Sequence, residues 1–346
     1  MNFRYLHRYP NPIRRFFAVG ACLFGVACAS PSPSAEPHHS GDGFRNHPPV
    51  ERPGFLDFLQ WQWSRPEHDA WEPPTEQPSP LAGNPGIALT WVGHATVLLE
   101  VDGRTILTDP VFARRASPVD WAGPARYTPA RPALSELPPI DAVVISHNHY
   151  DALDAASVEA LAEANPGARF FVPLGLADWF RDHGIERVTE LDWWESAEHA
   201  GIKLTATPVQ HWSKRGLFDE NETLWAGWAV DFGDFDFWFA GDTGYQPVHF
   251  RETGQRLGPF DLAAIPIGAY APRWFMRTSH VTPEEAVQIH RDVGARHAVA
   301  IHWGTFPLTD EPPPEPAERL RSAREAAGLA PTAFRLLRHG ETWHLR

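Results

Sequence analysis

The sequence predicts an α/β domain built on two β-sheets with helices outside them. Three observations carry the prediction. Strand signals come first, as meanders from Gly86 onward, and later alternate with helical segments. Apolar residues make up 43% and charged residues 21% of the 346, enough material for a large core. No fixed-period repeat or polar linker divides the stretch from 86 to 346.

The N-terminus reads differently. Residues 1–29 carry four arginines and no acid, followed by an apolar run from Phe16 to Ala29 that ends in small residues. That is the plan of an export signal, and the run is too short for a membrane span. Ala27-Cys28-Ala29 offers a cleavage site ending at Ala29, while Cys28 is an alternative lipidation site with Gly25 standing where Leu is preferred. Arg14-Arg15 before Phe16-Phe17 resembles a twin-arginine signal. The expected protein is exported, either periplasmic or a membrane-anchored lipoprotein; the alternative is a cytoplasmic protein with a disordered extension. Residues 30–52, rich in Pro, Ser, Gly and His, read as a disordered linker, and 53–346 as a single domain.

Within that domain, residues 53–85 mix Trp with Pro and predict a short helix and an extended arm. "IALTWVG", "ATVLLEVDG" and "RTILTDPV" are strands, with Asp102-Gly103 as a hairpin turn. "IDAVVIS" is a buried strand that runs directly into "HNHYD", and "DAASVEALAEANPGA" is a helix ended by Pro-Gly. "ARFFVP", "GIKLTATPVQ", "TLWAGWAVDFGDFDFWFAGD", "FDLAAIPIGA" and "HAVAIHWG" are further strand signals. "TPEEAVQIHRDVGA" is a helix capped by Thr282 with Glu285 three residues on. "PEPAERLRSAREAAG" is a last helix and "AFRLLRHGETWHL" a closing hairpin.

The net charge is −13; without the four arginines of the leader the remainder stands at −17. Such a body disfavours nucleic acid and simple electrostatic docking on anionic lipid. Both cysteines, Cys22 and Cys28, lie in the leader, so a transition metal must be held by His and carboxylates. No GxSxG elbow, P-loop or GxGxxG motif is present.

Four strand ends carry metal-type donors: His147, His149 and Asp151 after "VVIS", His211 after "TATPVQ", Asp242 after "FWFAG", and His302 after "AVAI". One histidine after a strand is ordinary; four strand ends converging on His and Asp are not explained by packing. His147 and His149, two apart, cannot share a helix face, but a tight loop can turn both rings onto one ion. His211 and Asp242 would complete that site. Asp151, Asp242 and His302 would hold a second ion, with Asp242 as the bridge. Imidazole and carboxylate donors suit zinc, and with less selectivity manganese or iron.

These residues resemble the metallo-β-lactamase fold superfamily. "TWVGHATVLLE", "ILTDPVF", "SHNHYD", "FAGDTGY", "PIGAYAPRWFM", "HVTPEEA" and "IHWGTF" are similar to the N-acylphosphatidylethanolamine-hydrolysing phospholipase D group over residues 54 to 340. The resemblance implies a four-layer αββα sandwich, two mixed sheets flanked by helices. It also implies two zinc ions on His147, His149, Asp151, His211, Asp242 and His302, and hydrolysis of a phosphodiester lipid to phosphatidic acid by a metal-held hydroxide. Asp151 would position that nucleophile. A phospholipid substrate implies contact with a membrane surface; a homodimer is compatible with it.

The departure is Ala152, where the family pattern His-x-His-x-Asp-His places an imidazole. Three readings stand: a loosely held second ion, a single ion, or a replacement side chain such as His94 or His280. Asp109 is expected to orient a ligand histidine. His280 is expected to act at the reaction centre, and His94, Tyr150, Tyr270 and Trp274 to contact substrate, with Phe275 and Met276 beside Trp274 as an apolar rim. Trp212 and Trp303 would wall the site. Besides a phospholipase D-type hydrolase, the alternatives are a protein of the same fold that binds without turnover and a hydrolase of another bond, such as a lactone.

Overall fold

In the computed structural model, residues 36–41, 43–67 and 70–345 are described. The leader 1–29 and the first part of the expected linker therefore lie outside the described residues. The first described elements are a two-strand ribbon, β1 (His39–Ser40) and β2 (Gly43–Phe44), and helix α1 (Phe55–Ser64).

One sheet contains β3 (Ile87–Gly93), β4 (Thr96–Val101), β5 (Arg104–Thr108), β6 (Ala142–Val144), β7 (Arg169–Pro173) and β8 (Val188–Leu191). Helices α2 (Ala155–Ala164) and α3 (Ala177–Asp182) lie between its later strands in the chain. The other sheet contains β9 (Ser196–His199), β10 (Ile202–Thr207), β11 (Gly227–Asp231), β12 (Asp236–Phe239), β13 (Leu262–Pro266), β14 (His297–Ile301) and β15 (Phe334–Arg335). It is interleaved with α4 (Pro247–Leu257), α5 (Arg273–Met276), α6 (Pro283–Asp292) and α7 (Glu315–Ala326). The last strand, β16 (Thr342–Leu345), returns to the first sheet.

The strand orders are β16-β3-β4-β5-β6-β7-β8 and β15-β14-β13-β12-β11-β10-β9. Each sheet joins antiparallel strands to parallel ones, so both are mixed. The β4–β5 hairpin turns through Asp102 and Gly103, both at positive φ (48° and 82°), the two-residue turn that suits strand twist.

Period-two alternation decides the layers. In β4, Val97, Leu99 and Val101 face the core between the sheets, while Leu98 faces outward. In β6, Ala142 and Val144 face inward and Val143 outward. The outward set is covered by Val158 and Leu161 of α2 and Phe180 of α3. On the far side, Phe250 of α4, Ile289 of α6 and Leu320 of α7 cover the second sheet. The result is the four-layer αββα sandwich. Strands buried on both faces explain the unbroken apolar runs of the sequence. Helix α6 begins at the expected box: Thr282 Oγ1 accepts from Glu285 N, and Glu285 Oε2 accepts from Thr282 N.

Two expectations are corrected. The C-terminal "hairpin" is not one, because β15 pairs with β14 in the second sheet and β16 with β3 in the first. Trp343 and Phe334 thus serve different sheets, which local sequence cannot reveal. Residues 36–52 are not a free linker. His38 and His39 donate to the two oxygens of Asp192 at 2.6 and 2.8 Å, and the His38 ring stacks on Trp193 at 4.2 Å. Pro37–Arg346 forms one compact unit. Among the described residues no helix is long and apolar enough to cross a membrane.

Candidate metal centre

Strands β6, β10, β12 and β14 end at the same rim of the sandwich. The chain leaving β6 places Ser146, His147, His149 and Asp151 there. The chain after β10 brings His211, held in register by the bridge between Gln210 and Gly244. Asp242 follows β12 by way of Gly241, whose φ is +59° and whose Cβ, were there one, would lie 2.4 Å from that of Ser146. Only glycine permits that approach. His302 follows β14 at φ +60°.

The donors fall into two adjoining groups. Ring nitrogens of His147, His149 and His211 lie within 4.8 Å of one another, as do donor atoms of His94, Asp151 and His302, and of Asp242, His280 and His302. Asp242 faces both sides. Its Oδ2 is 3.8 Å from Nε2 of His147 and of His211, and its Oδ1 is 3.0 Å from Nε2 of His302. Asp151 Oδ2 is 3.4 Å from the same His302 nitrogen. The Asp242 carboxylate therefore lies between the His147/His211 pair and His302.

Hydrogen bonds behind the rings fix their orientation. Asp109 accepts from Ser146 N at 2.6 Å and from Ser146 Oγ at 2.5 Å. Ser146 Oγ then lies 2.8 Å from His147 Nδ1 and accepts its proton, leaving Nε2 facing the cluster. Asp109 thus acts on His147 through Ser146. His211 Nδ1 donates to the Ser279 carbonyl at 3.0 Å, which leaves its Nε2 free of a proton. The backbone of His211 is clasped by Asn46, which donates to its carbonyl at 2.8 Å and accepts from its N–H at 3.1 Å. Arg215 Nη1 donates to the carbonyls of Asn148 and Leu153 and so braces the histidine loop.

Toward the cluster the picture reverses. His147 Nε2, His149 Nε2, His280 Nδ1 and both ring nitrogens of His302 are buried without a hydrogen-bond partner. A buried polar group left unpaired costs about 1–3 kcal/mol. Of these, His147 Nε2 and His302 Nε2 converge on Asp242, and His302 Nε2 also on Asp151, the pattern of a cation site whose nitrogen and oxygen donors fit a divalent ion.

Burial first, and then repulsion from neighbouring rings, holds His147, His211 and His280 well below the usual histidine range. It brings His94 and His149 down to about 4. Neutral imidazoles are the form that binds metal. His302 is the exception: burial would lower it, but Asp242 and Asp151 together push it up to about 10. Burial raises Asp242 and Asp109, whereas contacts with His302 and His94 overcome burial and hold Asp151 well below the carboxylate range.

A cavity of ≈ 600 Å³ opens onto the cluster. His149, Asp151, Asp242 and His280 form its floor; Phe55, Phe58 and Trp61 of α1 and Phe275 and Met276 of α5 form an apolar wall; Arg52 and Lys214 add positive charge. Trp212 also lines it, edge-on to His149 at 4.4 Å.

Several expected substrate contacts are corrected by these positions. Tyr150 donates its hydroxyl to the Arg215 carbonyl at 2.9 Å, and Tyr270 donates its own to Glu315 at 2.6 Å. Neither lines the cavity. His94 is 2% exposed and faces Asp151 and His302 from behind. Trp274 lies at the surface beside Phe275, which reaches the cavity in its place. Trp303 stacks on Trp91 at 5.4 Å, away from the cavity. Reading the sequence missed Arg52, Lys214, Asn46 and Ser146. Ser146, adjacent to the histidine motif and three dozen residues after Asp109, offered the one local signal.

Fold and donor cluster together define a metal-dependent hydrolase of the metallo-β-lactamase type. The chain belongs to the β-lactamase superfamily: residues 104–303 match the model described as the Beta-lactamase superfamily domain. It is 48% identical over 269 residues to N-acyl-phosphatidylethanolamine-hydrolyzing phospholipase D 1 of Caenorhabditis elegans, covering 75% of this chain and 76% of that one. It is 35% identical to the mitochondrial N-acyl-phosphatidylethanolamine-hydrolyzing phospholipase D of Saccharomyces cerevisiae, covering 69% of this chain and 52% of that one. The solved structure of Igni18, a metallo hydrolase from Ignicoccus hospitalis, superposes with a TM-score of 0.57 at 23% identity, covering 75% of this chain and 98% of that one.

Proposed function

We propose that this protein hydrolyses the phosphodiester of N-acylphosphatidylethanolamine-like lipids on the phospholipase D side: water adds at phosphorus, the headgroup P–O bond breaks, and phosphatidic acid and an N-acylethanolamine are released. The observation that carries the reading is the cavity: its floor is the His/Asp cluster, its walls are the aromatic residues of α1 and α5, and its cations are Arg52 and Lys214. Such a space matches a lipid whose phosphate must meet cations while its chains stay dry. The kinship to two N-acylphosphatidylethanolamine-hydrolysing enzymes supports the same substrate class.

Divalent ions, zinc in the first instance, would lower the pKa of water and offset charge on the phosphate oxygens. His147, His149, His211, Asp151, Asp242 and His302 would hold them. Asp151 and His280, both lining the cavity floor, would orient water and carry a proton at the reacting phosphate. Arg52 stacks over Trp212 at 4.0 Å and holds its charge at the cavity mouth, with Glu220 as its partner at 3.2 Å.

Substrate would arrive from a membrane surface. Helix α1 exposes Leu56, Leu59 and Trp63, with Trp63 94% exposed, while its other face contributes Phe55, Phe58 and Trp61 to the cavity. One helix therefore joins the lipid plane to the site. Export would place the enzyme at an outer membrane face. The test is incubation of the metal-loaded protein with vesicles of N-acylphosphatidylethanolamine, other phosphodiesters and lactones. Release of phosphatidic acid supports the proposal; inertness toward every phosphodiester ends it.

A further inference from the structure

The second group of donors contains three side chains from strand ends, Asp151, Asp242 and His302. Residue 152, next to Asp151 and 2% exposed, is alanine and offers no donor. The structure places another imidazole there from a different part of the chain. His94 Nε2 lies 3.0 Å from Asp151 Oδ2, and its ring centroid is 3.9 Å from that of His302. The atoms form a chain: Asp242 Oδ1 to His302 Nε2 at 3.0 Å, His302 Nε2 to Asp151 Oδ2 at 3.4 Å, and Asp151 Oδ2 to His94 Nε2 at 3.0 Å. Neighbouring donors around a tetrahedral zinc ion are about 3.3–3.6 Å apart, given metal–donor distances of roughly 2.0–2.2 Å.

The backbone of His94 is held for a purpose other than strand pairing. It follows an irregularity of register between Trp91 and Gly93 and sits at φ +54°, a region that non-glycine residues seldom occupy. Three hydrogen bonds hold it there. Its N–H donates to Thr305 Oγ1 at 2.7 Å, and its carbonyl accepts from Trp91 Nε1 and from His302 N, each at 2.9 Å. The last bond ties it to His302, itself at φ +60°. Two left-handed histidines joined backbone to backbone thus turn their rings onto one carboxylate. His280 also borders this group through Asp242 and His302, but it is not grouped with Asp151 and His94.

We infer that His94 is a direct ligand of the second metal ion, supplying the imidazole that residue 152 lacks. The inference rests on the metal-dependent reading above and adds a ligand to it. A purely supporting role, in which His94 only donates a hydrogen bond to Asp151, is the competing account.

Ion binding separates the two, independent of turnover. Apo-protein would be titrated with Co(II) and Zn(II), following stoichiometry and the visible spectrum of bound cobalt, for the wild type, His94→Gln and the double variant His94→Ala/Ala152→His. Gln keeps an N–H for Asp151 but is a poor ligand. We expect two ions in the wild type. In His94→Gln the second ion should be weakened about 10³-fold or more, beyond the roughly 10–100-fold that loss of an outer partner costs. Its contribution to the cobalt spectrum should be lost, and the double variant should regain it. Circular dichroism would confirm that the variants fold. His94→Gln with both ions bound within 100-fold of wild type, or with an unchanged spectrum, overturns the inference, as does a wild type that binds one ion only. A wild type that binds no ion at all sinks the metal-dependent reading itself.

Discussion

His302 Nε2 stands 3.0 Å from Asp242 Oδ1, both nearly inaccessible, yet the contact lacks hydrogen-bond geometry. A nitrogen and a carboxylate oxygen buried so close without sharing a proton along the line between them are arranged for something at their common focus. Asp242 is the pivot, since its second oxygen turns toward His147 and His211. Asp242→Asn should therefore weaken both ions together and lower hydrolysis by about 10³-fold or more, a loss of several kcal/mol of charge stabilisation. Elemental analysis beside an activity assay checks it; full metal content in this variant would contradict the bridging role.

The path from Asp109 through Ser146 to His147 predicts an effect at a distance. Ser146→Ala removes the group that accepts from His147 Nδ1 and the hydroxyl that satisfies Asp109. Metal affinity should fall roughly 10–100-fold. Stability should drop by about 1–3 kcal/mol, because the buried Asp109 carboxyl loses one of its two hydrogen bonds and keeps only that from the backbone N–H of residue 146. Isothermal titration with Zn(II) and urea unfolding measure the two terms separately.

Acid should destabilise the fold even with metal removed. Three histidines away from the cluster are buried and held low: His249 and His290 to about 4, His339 to about 3. Burial is the main cause in each, followed by His47 and His38, by Arg291 and by Arg126 respectively. In the unfolded chain each takes up a proton near 6.5, while in the native fold each waits until the lower value. Between those pH values the unfolded state holds more protons, so stability rises with pH and is lost as pH falls from about 7 toward 4. The slope is at most about 1.4 kcal/mol per pH unit per histidine. His302, pushed up to about 10, works in the opposite sense: its contribution is full below about 6.5 and is lost as pH rises from there toward 10. Urea midpoints in chelator at several pH values test the sign.

The exposed face of α1 predicts partition onto lipid. Leu56 is 78% and Trp63 94% exposed, and neither covers the core or lines the cavity. Leu56→Ser with Trp63→Ser should weaken vesicle binding by roughly 100-fold or more, given about 1.5–3 kcal/mol for each large apolar side chain buried. Turnover of a short-chain soluble phosphodiester should stay near wild type. Co-sedimentation with vesicles reads the first, and equal binding by the variant would remove α1 from the membrane account.

Much of this was legible in the sequence, for reasons that differ by element. Donors at strand ends declare themselves, because a buried strand must deliver its next polar residue to a rim; His147, His211, Asp242 and His302 follow that rule. The capping box of α6 is likewise local chemistry. What failed was non-local. Composition alone made residues 30–52 a linker, yet Asn46 clasps the backbone of His211, 165 positions away. The hydroxyls of Tyr150 and Tyr270 looked free to meet a phosphate until the fold supplied Arg215 and Glu315 as partners. The split of β15 and β16 between two sheets has no signature in a thirteen-residue stretch.

The most direct test of the central claim is to measure bound divalent ions and phosphatidic acid release from N-acylphosphatidylethanolamine in one preparation, before and after chelation. The account predicts bound ions and turnover that vanish together and return together when Zn(II) is restored. Turnover that persists after the last ion has been stripped would contradict it.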